Sequence, residues 1–316
     1  MRRQVPERDG IVTVARGRLA PSPTGRLHLG HVRTYMAAWL HVRRAGGTVI
    51  LRMEDLDPPR VVAGAAETIV EDLRWLGFDW DEGPDVGGPH PPYTQSARAN
   101  HYRSALDRLA RDTFACTCSR KEIAAASAPH GVEGLGVRYP GTCRRGPSHP
   151  ERPPAIRFRM PEPPPDFEDG VHGPVEATDY GGDFVLRRAD GLFAYQLAVV
   201  VDDIAMGVTE VIRGADLLAS TPRQIAIYRA LGVPPPRYAH IPLVLGGDGA
   251  RLSKRDGALA IGALRDMGVS ADAIVGRVAE SLGFGAGEPT PLRSLIGAFA
   301  LSKIPKTPVH DLFPDA

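Results

Sequence analysis

Apolar positions along this chain recur in two periods. Near the start, Ile11, Val12 and Val14 form a β-branched cluster, followed by a Pro- and Gly-containing turn and a helical pattern over residues 32–42. β-Branched clusters suit a pleated strand, and 3.6-residue spacing suits one buried helix face. Val49-Ile50-Leu51-Arg52-Met53 reads as a buried strand running into the acidic loop Glu54-Asp55-Leu56-Asp57-Pro58. Residues 65–76 alternate apolar and charged positions at helical spacing up to Gly77, and a second amphipathic helix is expected over residues 97–110. Strand, helix, strand, helix predicts an α/β fold with a parallel sheet. Ligands of such sheets sit beyond the C-terminal strand ends, so residues 18–31 and 54–57 can reach one crevice.

The middle of the chain changes character. Residues 114–165 hold all three cysteines, a small-residue run at 124–127 and Pro-rich stretches at 147–154 and 161–165. This reads as an insertion between two halves of the sheet domain. Ile156-Arg157-Phe158-Arg159-Met160 then alternates like a strand. Residues 183–188, a turn at Ala189-Asp190-Gly191, and residues 192–195 suggest a β-hairpin. Thr221-Pro222 opens a helix with a hydroxyl N-cap and proline in the first turn, ending near Gly232. The apolar run 241–245 precedes a glycine-flanked loop, Arg251-Leu252-Ser253-Lys254-Arg255-Asp256-Gly257, and helices are expected at 258–267, 271–282 and 291–304. The expected organisation is therefore 11–110 and 191–257 as halves of one catalytic domain, 111–190 as an insert, and 258–316 as a short helical region.

Composition narrows the classes. The chain is 43% hydrophobic and 24% charged over 316 residues, as a folded globular protein should be. A net charge of +1 exerts no global pull on nucleic acid, so RNA contact would need local basic patches. No stretch of eighteen apolar residues occurs, so no membrane span is expected. Residues 1–10 carry three arginines without the apolar core of a signal peptide, which points to the cytoplasm. A monomer is expected. Three cysteines, an odd number, argue against a disulfide framework and toward a metal or free thiols.

Three groups of residues carry candidate chemistry. Arg18-Leu19-Ala20-Pro21-Ser22-Pro23-Thr24-Gly25 leads through His28-Leu29-Gly30-His31 into the first helix. A strand end, a tight turn and a helix N-terminus form an anion site, because unpaired N–H groups and the positive helix end face one space. Gly25 and Gly30 permit close approach to the backbone, and His28 and His31 can donate to phosphate oxygens. Glu54 is a candidate for holding a substrate ammonium. Cys116 and Cys118 lie two residues apart, and Cys143 follows, so three thiolates plus one further ligand would close a tetrahedral zinc site. The fourth-ligand candidates are Tyr139, His130 and His149. Side-chain chemistry favours a histidine, because a phenol must first lose its proton.

His28-Leu29-Gly30-His31 resembles the HIGH element of class I aminoacyl-tRNA synthetases, and Leu252-Ser253-Lys254-Arg255 resembles their KMSKS element. The text from Arg18 to Gly25, Tyr93-Thr94-Gln95-Ser96, the run from Tyr195 to Asp203, and Val211-Ile212-Arg213-Gly214-Ala215-Asp216 resemble the glutamyl branch. Cys116-Thr117-Cys118 followed by Tyr139-Pro140-Gly141-Thr142-Cys143 is similar to the zinc site of the glutamyl-Q tRNA(Asp) synthetases, in which the tyrosine is a ligand. The resemblance spans residues 16–301. It implies a Rossmann-like class I catalytic domain with an inserted zinc-binding subdomain and a short C-terminal helical stub. It implies ATP-dependent activation of L-glutamate, with Mg²⁺, and transfer of glutamate to queuosine at the wobble position of tRNA(Asp) rather than to the 3′ end. His28, His31 and Lys254 are then catalytic, and His28, Gly30, His31 and Lys254 bind ATP. Arg18, Leu19, Ala20, Pro21, Ser22, Glu54, Tyr195 and Arg213 bind glutamate, and Cys116, Cys118, Tyr139 and Cys143 bind zinc. The family often has a small residue at the position of His31, and no role is implied for Arg255. Rival expectations are a shortened glutamyl-tRNA synthetase that charges a 3′ end, and a non-catalytic zinc-containing tRNA-binding module.

Overall fold

The computed structural model describes residues 14–126, 138–178, 181–246, 260–310 and 312–313. The first strand, β1 (Arg16–Leu19), is followed by α1 (Leu29–Arg44), β2 (Thr48–Leu51), α2 (Ala65–Trp75) and α3 (Ala99–Arg108). β3 (Thr113–Cys116), α4 (Arg120–Ala126), β4 (Ala155–Phe158), β5 (Phe167–Asp169), β6 (Gly173–Val175) and β7 (Phe184–Arg187) come next. The remainder is α5 (Tyr195–Ala205), β8 (Glu210–Gly214), α6 (Thr221–Ala230), β9 (Arg237–Ile241), β10 (Val244–Leu245), α7 (Ile261–Asp266), α8 (Ala271–Ser281) and β11 (Val309–His310).

The main sheet runs β2-β1-β8-β9-β5-β6 and is parallel except for its β5–β6 edge. Alternate strand residues serve opposite faces. Leu19, Val49, Leu51, Ile212, Ala239 and Ile241 pack with α1 and α8, whereas Ile50, Val211 and Tyr238 join Ile225 of α6 in a separate cluster. Helices thus cover both faces, as expected of a doubly wound sheet. Gly17 is required where α1 crosses β1, since a Cβ there would lie 2.5 Å from a Val42 methyl carbon. A separate antiparallel sheet, β3-β4-β7, shares a core with α3, α5 and α6 through Phe158, Phe184, Leu197 and Tyr228. β5 and β6, inside the stretch expected as an insert, instead extend the main sheet beyond β9.

Several boundaries differ from expectation. The first strand begins at Arg16, Val14 is exposed, and Ile11 and Val12 lie outside the described residues. The hairpin after β7 reduces to one bridge, Arg187 to Phe193, because Tyr195 already opens α5. Thr221 is the first residue of α6 rather than its N-cap, which is Ser220, so its hydroxyl is available to other partners. The expected helix over 291–304 is two short 3₁₀ turns, Leu292–Leu295 and Leu301–Lys303. Beyond them β11 pairs in parallel with β10. Among the described residues no helix is long and apolar enough to cross a membrane.

Candidate active site

Strand order reverses between β1 and β8: β2 lies on one side of the pair and β9 on the other. Such a switch point opens a crevice beyond the C-terminal strand ends. Arg18 stands near the end of β1, and Arg213 near the end of β8. A cleft of about 450 Å³ lies there, lined by Arg18, His28, His31, Glu54, Tyr195 and Arg213. Ala20, Ser22 and Gly30 also face it, while Leu19 belongs to the core and Pro21 is buried. Leu19 and Pro21 contribute main chain: their carbonyls accept from the N–H groups of Arg52 (2.9 Å) and Glu54 (2.8 Å). Lys254 and the rest of 247–259 lie outside the described residues. Val244 before that stretch lines the cleft, and Ala260 after it bridges to His28.

His28 is the N-cap of α1, its carbonyl accepting from the N–H of His31 (2.9 Å) and of Val32 (3.2 Å). Its ring stacks on that of His31 with centroids 3.6 Å apart. Gly30 lies beneath, where a Cβ would press on the His28 ring at 3.3 Å. The first turn of α1 carries no acidic residue, so its positive end favours an anion.

Opposite charges converge on the other wall. Arg18 donates to the Ile212 carbonyl at 3.2 Å and lies 3.6 Å from Asp203. Glu54 accepts from Arg52 at 3.0 Å. Burial pushes the Glu54 carboxyl up from its usual range, against the pull of Arg52 and Arg18. Burial also raises the Tyr195 phenol, with Arg213 opposing, so Tyr195 remains a hydrogen-bond donor. Arg213 is held by three uncharged acceptors: Nε donates to His240 Nε2 (3.0 Å) and the two terminal nitrogens to Gln224 (2.6 Å) and Thr221 (2.8 Å). Two guanidiniums, one carboxylate and a phenol complement an amino dicarboxylate.

Residues without a sequence assignment support this wall. Arg52 is fully buried and donates to both Glu54 and Asp203 (2.7 Å). Asp202 accepts from Gln95 (2.7 Å), Arg98 (2.5 Å) and Tyr102 (2.8 Å). The available signal was a lone arginine in an apolar strand and two aspartates closing an apolar helix. Buried charges occur in such places only when paired.

At the end of β3, Cys116 and the loop residues Cys118 and Cys143 place their sulfurs within 4.8 Å of one another. Cys118 and Cys143 are 3.5 Å apart, and Tyr139 Oη lies 3.4 Å from Cys116 and 3.9 Å from Cys118. A tetrahedral zinc with Zn–S near 2.3 Å requires edges of about 3.7 Å, so the four atoms suit such an ion. Burial raises the Cys143 thiol, but hydrogen bonds from Ser148 and from the Thr117 backbone overcome it and hold the thiol down to about 5. Burial and the contact with Cys116 push the Tyr139 phenol up, so only a cation would draw off its proton. His149 is turned to Glu122 (3.2 Å) and Glu151 (3.6 Å), and His130 lies outside the described residues. Ser148, 3.4 Å from Cys143, is a neighbour that spacing did not suggest.

Fold and cleft together define a Rossmann-type catalytic domain with a cleft at the sheet's switch point. The family model "tRNA synthetases class I (E and Q), catalytic domain" matches residues 14–290. A glutamyl-Q tRNA(Asp) synthetase of Symbiobacterium thermophilum is 52% identical over 307 residues, covering 93% of this chain and 95% of the relative. The chain therefore belongs to the class I tRNA synthetases of the E and Q type, in the family of glutamyl-Q tRNA(Asp) synthetases, and is a ligase-type enzyme. A second member, from Nitratidesulfovibrio vulgaris, is 51% identical, over 93% of this chain and 94% of the relative. A glutamate–tRNA ligase of an Anaeromyxobacter species is 48% identical over 82% of this chain, which spans 56% of that longer protein. The crystal structure of a glutamate tRNA ligase from Elizabethkingia meningosepticum superposes with a TM-score of 0.81 at 30% identity, over 94% of this chain and 67% of that one.

Proposed function

We propose that this enzyme condenses L-glutamate with ATP to glutamyl-adenylate and passes the glutamyl group to queuosine at the wobble position of tRNA(Asp), leaving the 3′ end uncharged. The observation that carries this reading is the meeting of Arg18, Glu54, Tyr195 and Arg213 in one cleft with the stacked His28 and His31. In the first step a glutamate α-carboxylate oxygen attacks the α-phosphorus, the bond to the β-phosphate oxygen breaks, and pyrophosphate leaves. Positioning and charge stabilisation carry such a displacement. His28, His31 and the N-terminus of α1 hold the phosphates, with Gly30 leaving them room, and Lys254 offsets the charge of the leaving pyrophosphate. Mg²⁺ bound with ATP would supply neutralisation of phosphate charge. Glu54 takes the glutamate ammonium, Tyr195 donates its hydroxyl, and Arg18 and Arg213 take the carboxylates, Arg213 the one on the side chain. Ala20 and Ser22 wall this pocket, and Leu19 and Pro21 fix its backbone. In the second step a queuosine ring hydroxyl attacks the activated carbonyl and AMP leaves, with no protein nucleophile. Cys116, Cys118, Tyr139 and Cys143 would hold a structural zinc that ties β3 to the loop around Cys143. We assign the enzyme to the cytoplasm, acting as a monomer.

The similarity to glutamate–tRNA ligases favours one competing reading, esterification of a tRNA 3′ end. Radiolabelled glutamate, ATP and tRNA(Asp) with and without queuosine separate the two. We expect label only on queuosine-containing tRNA, mapped to the wobble nucleotide. Label on the terminal adenosine of queuosine-free tRNA would refute the proposal. Lys254→Ala should slow glutamate-dependent ATP–pyrophosphate exchange by roughly 10²- to 10³-fold, the usual effect of removing one charge-stabilising donor.

A further inference from the structure

Arg213 is backed by a buried relay that ends on a carboxylate. His240 is fully buried on β9, and its Nδ1 lies 2.6 Å from Asp169 Oδ2 at the end of β5. Its Nε2 lies 3.0 Å from Arg213 Nε. A guanidinium has donors and no acceptor, so Nε2 accepts from Arg213, the Thr221 hydroxyl 3.1 Å away giving its own proton to the Leu217 carbonyl (3.2 Å), and the ring proton sits on Nδ1 and is given to Asp169. The other Asp169 oxygen accepts from the backbone N–H groups of Val171 (2.9 Å), His172 (3.0 Å) and His240 (3.3 Å), which pins the carboxylate in place.

This arrangement leaves Arg213 in an unusual state. Its partners take Nε–H and one hydrogen on each terminal nitrogen, so one N–H remains on each. Among the described residues no carboxylate lies within ion-pair distance of it; the nearest anion in the relay, Asp169, acts through the imidazole. A buried cation held by neutral acceptors is stabilised most by an incoming anion. An uncharged amide on the same two donors would leave that charge unmet and bring N–H against N–H.

We propose that Asp169 and His240 are positioning residues that set side-chain specificity. They hold Arg213 as an open two-pronged cation for a carboxylate and thereby exclude the amide analogue. The inference rests on the reading that Arg213 faces the glutamate side chain, and it extends that reading to two residues that never touch substrate.

Asp169→Asn tests the relay directly. Three backbone N–H groups hold the amide oxygen on the Oδ1 side, so the new NH₂ faces His240 Nδ1. The ring proton then moves to Nε2, which can no longer accept from Arg213. His240→Gln is the rescue variant, because its oxygen can accept from Arg213 while its NH₂ donates to Asp169. Glutamate-dependent exchange is measured for both against the unmodified enzyme, with glutamine as competing substrate. Asp169→Asn should raise KM for glutamate roughly 10- to 100-fold, as expected when one buried hydrogen bond becomes an unmet group. It should also narrow glutamate-over-glutamine discrimination and leave kcat within about threefold. His240→Gln should stay within a few-fold of the unmodified enzyme in KM and discrimination. Nitrogen-15 spectra of histidine-labelled unmodified enzyme should show His240 protonated at Nδ1, a readout that does not depend on the variants folding. A proton on Nε2, an unchanged KM in Asp169→Asn, or a loss confined to kcat would overturn the inference. Absence of glutamate-dependent exchange in the unmodified enzyme would instead overturn the proposed function, and this inference with it.

Discussion

Replacing Arg52 with methionine removes the central cation of the buried cluster behind the cleft. In that cluster three cations, Arg18, Arg52 and Arg98, face three anions, Glu54, Asp202 and Asp203. Asp202 would still be served by Gln95, Arg98 and Tyr102. The loss therefore falls on the 2.7 Å bond to Asp203 and the 3.0 Å bond to Glu54. Two charge-assisted hydrogen bonds at about 1.5–3 kcal/mol each predict a destabilisation of about 3–6 kcal/mol, overlapping the cost of about 3–5 kcal/mol for buried pairs broken on one side. Function should suffer as well, because Glu54 without Arg52 is easier to protonate and a neutral Glu54 holds an ammonium poorly. Urea unfolding and the glutamate KM in pyrophosphate exchange measure the two effects. The double variant Arg52→Met/Asp203→Leu should recover part of the stability, since apolar replacement of a whole pair is often tolerated, but none of the KM. A single variant that costs less than about 1 kcal/mol would place Arg52 among weak, solvated pairs and refute the reasoning.

Cys143→Ser, or prolonged chelation, should lower the melting temperature and release about one zinc per chain, with Tyr139→Phe milder because three thiolates remain; metal analysis finding none in the purified enzyme would remove the zinc assignment. Burial, chiefly, and Arg213 hold His240 down to about 4 from 6.5, against Asp169, so the unfolded chain takes up this proton first as pH falls. Stability should therefore be full above pH 6.5 and lose about 3 kcal/mol by pH 4 through this residue, a slope that urea titrations should find flattened in His240→Gln. Arg33 is buried in α1 and donates to the carbonyls of Pro242 and Ser281 and to the Ser281 hydroxyl, tying the segment after β9 to α8. Arg33→Leu should cost about 2–4 kcal/mol by stranding these acceptors; an unchanged urea midpoint would show that water replaces it.

Periodicity and local chemistry by themselves determine much of this protein. α1 is legible because it buries a face its own spacing defines, and β2 because a continuous apolar run marks a strand buried on both faces. His28, Gly30 and His31 are legible as an anion site because a strand end, turn and helix start are contiguous, and Cys116, Cys118 and Cys143 as a thiol cluster because they fall in a short span; Tyr139 beside them comes from the family resemblance alone, since side-chain chemistry favours a histidine. Element boundaries are less legible: Tyr195 can close a hairpin or open a helix, and only packing against α3 and α6 decides. What the tertiary structure alone decided is which buried charges meet. Arg52 and Asp203 are 151 positions apart, Arg213 and His240 are 27 apart, and His240 and Asp169 are 71 apart. β5, set among residues that looked like an insert, joins the main sheet beside β9 and so brings Asp169 behind Arg213. Pattern along a chain reports how one residue relates to its near neighbours. The pairing of desolvated charges depends on strand order and register, which no local window contains.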